Sequence, residues 1–258
     1  MMNVDKNDLF HVHTYRCGHA ENVPDEAYIE KAISLHAFGI WFTDHAPFPG
    51  DVFGNRMKYS ELDEYVDTLS ELKRKYAGRI NVHVGLEIEY FPKFERDGYY
   101  EKLLSDKRIE LLLLGQHMAE TQDGSYTFSW DKEQLKKEEY IALGNATVQG
   151  IRSGYFGAVA HPDRIYRRKR EWTEEMSDMA DRIIISAQKM GIPLEQNESS
   201  KKQSFHYWKE FWEKAEHTKI IHGLDAHSVG ELRTSNNKKE EVYRVLSHEQ
   251  RQHRRIIR

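Results

Sequence analysis

Seven histidines and two carboxylates, spread between positions 11 and 227, are the residues of this sequence best suited to hold metal ions: His11, His13, His19, His45, Glu87, His117, His161, Asp225 and His227. His11 and His13 begin the set. Leu9, Phe10 and Val12 are strand formers, and alternation along a strand sends positions 11 and 13 to one side, where two imidazoles can grip one cation. Zinc, manganese and iron all accept imidazole nitrogen at about 2.0–2.2 Å. The Cys17-Gly18 pair then turns the chain and presents His19 to the same cavity from another direction. Histidine is common here, at 14 of 258 residues, so the short pair alone decides little. The number of partners decides more. A mononuclear zinc site takes three or four protein ligands, so nine imply two or three divalent ions, with Glu87 bridging. Nitrogen and oxygen donors suit catalytic Zn²⁺, Mn²⁺ or Fe, whereas a closed structural zinc site favours thiolates. Cys17 therefore reads as a small turn residue.

These side chains need elements to carry them. After the first strand, Pro24 to Leu35 reads as a helix with Pro24 at its first position, and Gly39-Ile40-Trp41-Phe42-Thr43 as a strand that ends at Asp44-His45. A helix over about Glu61 to Tyr76 leads to a strand over Ile80 to Tyr90 with Glu87 near its far end. A short helix around Tyr99 to Leu104 is followed by the apolar run Ile109 to Leu114, a buried parallel strand delivering His117. Residues 119–130 read as a loop, Lys132 to Ser153 as a long helix, and Phe156 to Ala160 as the strand delivering His161. Helices near Glu174 to Met190 and Phe205 to His217 precede strands at Ile192 to Asn197 and Thr218 to Gly223, the last running into Asp225-Ala226-His227. From about Glu240 the chain reads as polar and helical. About seven strand-then-helix units imply a parallel sheet with right-handed crossovers, and that many commonly close into a barrel. His13, His45, Glu87, His117, His161 and Asp225 all fall at the C-terminal ends of their strands, the face on which α/β barrels assemble sites.

Composition narrows the classes. With 39% hydrophobic and 31% charged residues and few glycines or prolines, the chain reads as a soluble globular chain of enzyme size, with no repeat or linker to divide residues 1–258 into domains. A net charge of −4 gives no reason to expect nucleic acid as the main ligand. One cysteine forms no intrachain disulfide, which fits a reducing, cytoplasmic setting, and no apolar run is long enough for a membrane anchor.

The motifs His11-Val12-His13-Thr14, Cys17-Gly18-His19-Ala20, Thr43-Asp44-His45-Ala46-Pro47, Gly85-Leu86-Glu87, His117, Ala160-His161-Pro162-Asp163 and Asp225-Ala226-His227 cover most of the chain. As a set they resemble the PHP (polymerase and histidinol phosphatase) family, and within it the monofunctional histidinol-phosphate phosphatases. The resemblance implies a distorted (β/α)7 barrel with a trinuclear centre: one ion on His11, His13, Glu87 and Asp225, a second on Glu87, His117 and His161, a third on His19, His45 and His227. It also implies catalytic roles for Glu87, Asp225 and His227, and hydrolysis of L-histidinol phosphate in histidine biosynthesis. Gly115-Gln116-His117-Met118 and the Gln196-Asn197-Glu198 stretch depart from the family pattern, and they lie near the expected leaving group.

A cluster of divalent cations favours a phosphate dianion and lowers the pKa of a bound water, so the expected reaction is direct in-line attack by metal-bound hydroxide. No serine or cysteine nucleophile motif competes with it. Phosphate also calls for a fork-shaped donor. Arg164, three residues past His161, is the first candidate, with Arg16 and the Arg167-Arg168 pair behind it, and Asn197 at a strand end is a further pocket candidate. Asp44 beside His45 is placed to orient a ligand imidazole. Glu195 either lines the pocket or makes structural hydrogen bonds. His83 and His222 read as core or supporting histidines. Two other functions fit the same motifs: a phosphoesterase acting on nucleotides or DNA ends, and a non-catalytic metal-binding module.

Overall fold

The computed structural model describes residues 2–130, 135–202, 207–234 and 243–245. Its centre is a seven-stranded parallel sheet of β2 (Leu9–Val12), β3 (Gly39–His45), β4 (Asn81–Ile88), β5 (Leu111–Leu114), β8 (Ala158–Val159), β9 (Leu194–Asn197) and β10 (Ile220–Gly223), which pair in that spatial order. The crossovers are α1 (Asp25–Ser34), α2 (Leu62–Lys75), α3 (Pro92–Arg96) with α4 (Tyr99–Ser105), α5 (Lys137–Ser153), α6 (Glu174–Met190), and α7 (Glu198–Lys202) with α8 (Lys209–Lys214). The sheet curls almost into a barrel. Its outer strands β2 and β10 do not form a continuous ladder, but the chain just past β10 bridges back to β2 at Val12 and Ala226. Three backbone hydrogen bonds hold that seam: Leu224 to Phe10 at 2.9 Å, Ala226 to His11 at 3.1 Å and His13 to Ala226 at 2.9 Å.

Alternation along the strands sorts the core into two layers. Ile40 and Phe42, Val82, Val84, Leu86 and Ile88, and Leu112 and Leu114 join the large cluster under the helices. The intervening Phe10, Trp41, Leu111, Leu113, Ala158 and Ile221 form a smaller cluster inside the curl. On β4 the inner positions are therefore His83, Gly85 and Glu87, with Glu89 next in line. The interior is apolar at the N-terminal end of the strands and polar at the other, where the candidate ligands stand.

The structure corrects several sequence-based expectations. Residues 119–130 include a hairpin, β6 (Met118–Glu120) with β7 (Tyr126–Phe128), rather than only a loop. The helix expected from Lys132 begins at Lys137, and residues 131–134 lie outside the described set. Of the helix expected over Phe205 to His217 the structure shows Lys209–Lys214, and residues 203–206 lie outside the described set. In the tail expected to be helical, β11 (Tyr243–Val245) pairs antiparallel with β1 (Met2–Val4); the rest, including the basic close at Arg251 to Arg255, lies outside the described residues.

Candidate metal centre

His11 and His13 do meet, with ring centroids 4.9 Å apart, but regular alternation is not the reason. The β2–β3 register shifts between Leu9 and Val12, and His11 has a left-handed φ of 68°, so that Phe10 and His11 both face inward. His161 and Asp225 carry φ values of 27° and 52°. Such backbone costs about 1–3 kcal/mol per residue and persists where surrounding structure over-determines it. Three of the nine candidate ligands share it.

Glu87 is the hub. Its Oε2 lies 3.3 Å from His11 Nε2, 3.5 Å from His13 Nε2 and 3.1 Å from His45 Nδ1, and its Oε1 lies 3.0 Å from His161 Nε2 and 3.5 Å from His117 Nε2. Asp225 Oδ1 stands 3.2 Å from His13 Nε2 and 3.5 Å from His11 Nε2. The His19 ring lies 5.4 Å from that of His45 and 4.6 Å from that of His227, completing a group towards the exposed side. Metal-compatible groups form at His11, His13, Glu87 and Asp225, at His19, His45 and His227, and at His45, Glu87 and His117.

The unpaired atoms point to the same use. His11 Nε2, His13 Nε2, Glu87 Oε2 and His227 Nε2 are buried without a hydrogen-bond partner, while His13 Nδ1, also unpaired, turns to Asp44 instead. Burying such atoms unsatisfied is costly, and a cation at their focus removes the cost. The opposite ring nitrogens are held from behind. His11 Nδ1 lies 2.7 Å from Glu195 Oε1, His19 Nδ1 is 3.0 Å from the Cys17 carbonyl, His117 Nδ1 is 3.3 Å from Glu89 Oε1, and His227 Nδ1 is 3.1 Å from the Asp225 carbonyl. Such backing fixes ring orientation and makes the inward nitrogen more basic. The donor set fits divalent zinc-like ions.

Charge follows the same geometry. Burial opposes protonation of His11, yet Glu195, Glu87 and Asp225 hold its imidazole well above the ordinary histidine value. Burial is likewise overcome at His13, which Asp225 and Asp44 raise to about 9. Burial depresses His45 well below its usual value, and lowers His161 to about 4 with Arg164 and His227 to about 3 with His13. Against their own burial, Glu87 stays ionised among His117 and His11, and Asp225 stays ionised beside Arg164. Two buried carboxylates thus demand positive charge at one point, which divalent cations can meet while displacing protons.

A cavity of about 280 Å³ opens over this cluster, lined among others by His19, His227, Arg164, Arg56, Glu89 and Trp130. Arg164 reaches it, with Nη2 2.7 Å from Asp225 Oδ2. Arg16 does not. Its guanidinium is taken up by Asp25 and Glu64 at 2.8–3.2 Å, away from the cavity lining. Asn197 is buried, accepts from Arg164 Nη2 at 3.1 Å and donates to Glu195 at 3.2 Å. Asp44 accepts from the Thr14 amide and hydroxyl and lies 3.6 Å from His13 Nδ1 rather than behind His45. Cys17 comes within reach of His13 and His227, but burial pushes its thiol up to about 12, leaving it a neutral thiol. His83 stacks on Trp41 at 4.0 Å and, half-buried, lies 3.1 Å from Glu110.

Sequence reasoning missed Glu89, Arg56 and Trp130. Glu89 could have been found, since it lies two residues past Glu87 on the same strand face. Arg56, which pairs bidentately with Glu89 at 3.0 Å, and Trp130 come from loops with no periodic signal.

Comparison with known proteins places this arrangement. A Deinococcus radiodurans protein named probable histidinol-phosphatase is 33% identical over 161 residues, a match spanning 59% of this chain and 59% of that protein. The histidinol-phosphatase of Bacillus subtilis is 26% identical over 258 residues, covering 86% of this chain and 94% of the relative. The structure of histidinol phosphate phosphatase from Lactococcus lactis, complexed with zinc, L-histidinol and phosphate, superposes with a TM-score of 0.68 at 17% identity, over 87% of each chain. No helix among the described residues is long and apolar enough to cross a membrane. The sequence profile of the PHP domain matches residues 10–199, which include the strands carrying His11 through His161, and the chain belongs to the PHP domain family.

Proposed function

We propose that this chain is a metal-dependent phosphomonoester hydrolase whose substrate is L-histidinol phosphate. The observation that carries the reading is the meeting of Glu87 with five imidazoles directly beneath the cavity wall that holds Arg164. In this reading His11, His13, Glu87 and Asp225 would hold one ion, Glu87, His117 and His161 a second, and His19, His45 and His227 a third. Bound divalent ions supply positive charge for a phosphate dianion and lower the pKa of water.

The chain's own groups do the rest. Glu87 turns Oε2 to His11, His13 and His45 and Oε1 to His117 and His161, so that it would serve ions on both sides of the cluster. Asp225 turns Oδ1 to the cluster and Oδ2 to Arg164, aligning the guanidinium with the metal face. Arg164, held by the protein on Nε and Nη2, has Nη1 left to offer a charge-assisted hydrogen bond to a phosphate oxygen. His227 lines the cavity in its neutral form, held so by burial and by His13. Trp130 and the Arg56-Glu89 pair form the wall that the leaving group meets. The named relatives support the choice of substrate.

The test is phosphate release from a panel holding histidinol phosphate, mononucleotides and an aryl phosphate, with protein reconstituted in Zn²⁺, Mn²⁺ or Fe²⁺. Strong preference for histidinol phosphate, lost in His13→Ala, is expected. Equal turnover of all substrates, or preference for nucleotides, overturns the substrate; no turnover by fully loaded protein overturns the enzyme reading. Metal analysis of the purified protein gives the number and identity of the ions.

A further inference from the structure

We propose that Glu195 and Asn197 are positioning residues that tie the metal cluster and Arg164 into one closed ring of polar contacts. The ring can be followed atom by atom. His11 Nδ1 meets Glu195 Oε1 at 2.7 Å; Asn197 Nδ2 donates to Glu195 Oε2 at 3.2 Å; Arg164 Nη2 donates to Asn197 Oδ1 at 3.1 Å and pairs with Asp225 Oδ2 at 2.7 Å; Asp225 Oδ1 returns to His11 Nε2 at 3.5 Å. The backbone amide of His161 also donates to Glu195 Oε2, at 3.1 Å. One carboxylate therefore holds the ring of one candidate ligand and the strained backbone of another.

Three observations assign Glu195 this role rather than that of a tenth ligand, although its carboxylate lies within ligand reach of His11 and His161. Both its oxygens already accept from N–H donors, whereas the cluster-facing atoms of His11, His13, Glu87 and His227 have no partner. It is fully buried behind His11, on the side of the ring away from Glu87. Strand β10 also makes room for it. A Cβ at Gly223 would stand 1.6 Å from Glu195 Oε1, so any larger residue there displaces the carboxylate.

Asn197 transmits the order to the cavity. Its Oδ1 also caps the Ser200 amide at 3.2 Å, and Ser200 Oγ accepts from Arg164 Nε at 3.0 Å. Arg164 is thus held on Nε and Nη2, leaving Nη1 without a protein acceptor among the described residues. A guanidinium held this way loses little freedom when it meets an anion. The link between metal affinity and anion affinity is a physical chain with two separable ends.

The inference rests on the proposed function only for the meaning of the anion, so the test uses inorganic phosphate and no turnover. Zinc affinity is measured by chelator competition, phosphate binding to zinc-loaded protein by calorimetry, and the hydrogen bond at His11 Nδ1 by long-range imidazole ¹H–¹⁵N NMR on zinc-loaded protein. Glu195→Gln keeps the shape but opposes its amide donors to those of His161 or Asn197. It is expected to bind zinc about 10- to 100-fold more weakly with unchanged stoichiometry, and to alter the His11 signals. Asn197→Ala is expected to keep zinc affinity within about twofold while weakening phosphate about tenfold. Asn197→Asp keeps the acceptor for Arg164 but sets a second carboxylate against Glu195 Oε2, and is expected to weaken zinc as well as phosphate. Parental zinc affinity in Glu195→Gln overturns the proposal. So does loss of one zinc equivalent with the rest bound normally, which would make Glu195 a ligand. Parental phosphate affinity in Asn197→Ala overturns the coupling. A parent protein that turns over no phosphomonoester sinks the proposed function and leaves all three readouts standing.

Discussion

A side chain at position 115 and the Glu87 carboxylate compete for the same space: a Cβ on Gly115 would lie 2.1 Å from Glu87 Oε1. Glu87 is wedged against bare backbone at the end of β5, which aims it at five imidazoles. Gly115→Ala is therefore expected to push the carboxylate off the cluster while leaving the sheet intact. Metal analysis should find fewer bound ions per chain, with an unchanged far-ultraviolet circular dichroism spectrum, and turnover should fall at least about 100-fold, as for loss of a large electrostatic contribution. Full metal content in the variant would refute the hub role of Glu87.

Arg164 is expected to act by shape as well as charge. Arg164→Lys keeps a cation but loses the planar guanidinium that Ser200, Asn197 and Asp225 hold on Nε and Nη2, leaving Nη1 for the anion. Phosphate affinity of the metal-loaded protein should fall about tenfold in Arg164→Lys and about 100-fold in Arg164→Ala, in line with loss of a charge-assisted hydrogen bond. Equal affinity in parent and Arg164→Ala would remove this residue from the anion site.

The Arg56-Glu89 pair is a stability device as well as a wall. Both side chains are buried, and Arg56 holds Glu89 at about 2, against the burial that would raise it. Arg56→Ala leaves a buried carboxylate uncompensated, and about 3–5 kcal/mol should be lost in urea unfolding. Combining Arg56→Met with Glu89→Leu should restore most of that loss. If Arg56→Ala alone unfolds like the parent, the pair is not structural.

Glu110 sits outside the centre and carries a pH-dependent contribution. Burial would raise its pKa, but His83 at 3.1 Å and Lys73 at 2.8 Å bring it below the usual glutamate value of 4.5. A depressed carboxylate stabilises the fold above the unfolded value, and that stability is lost as pH falls through the folded value. Glu110→Gln should cost about 1–2 kcal/mol at neutral pH. The gap from the parent should close as the buffer is taken below pH 4.5, and a gap that stays constant would contradict the assignment.

Much of the centre was legible because parallel strands leave a plain trace: an apolar run that stops at a histidine or carboxylate. Leu111 to Leu114 before His117 and Ile40 to Thr43 before His45 are of this kind. The bulge at His11 was hidden, because local sequence does not say which residue of a strand takes a positive φ. The partners of Arg16 were hidden for a related reason. It stands beside His13 in sequence, but Asp25 at the start of α1 and Glu64 in the first turn of α2 capture it, and only tertiary structure brings those carboxylates near. The hairpin at residues 118–128 is too short and too polar to show a period.

The seam between β2 and the chain after β10 gives the candidate ligands a second meaning. His11 and His13 stand on one lip and Asp225 and His227 on the other, with three backbone hydrogen bonds and an isolated bridge between them. An ion held by His11, His13 and Asp225 would fasten β2 to the segment just past β10, more than 200 residues later in sequence. Ligation would then act as a long-range crosslink, and occupancy of the centre would set how cooperatively the two lips of the seam come apart.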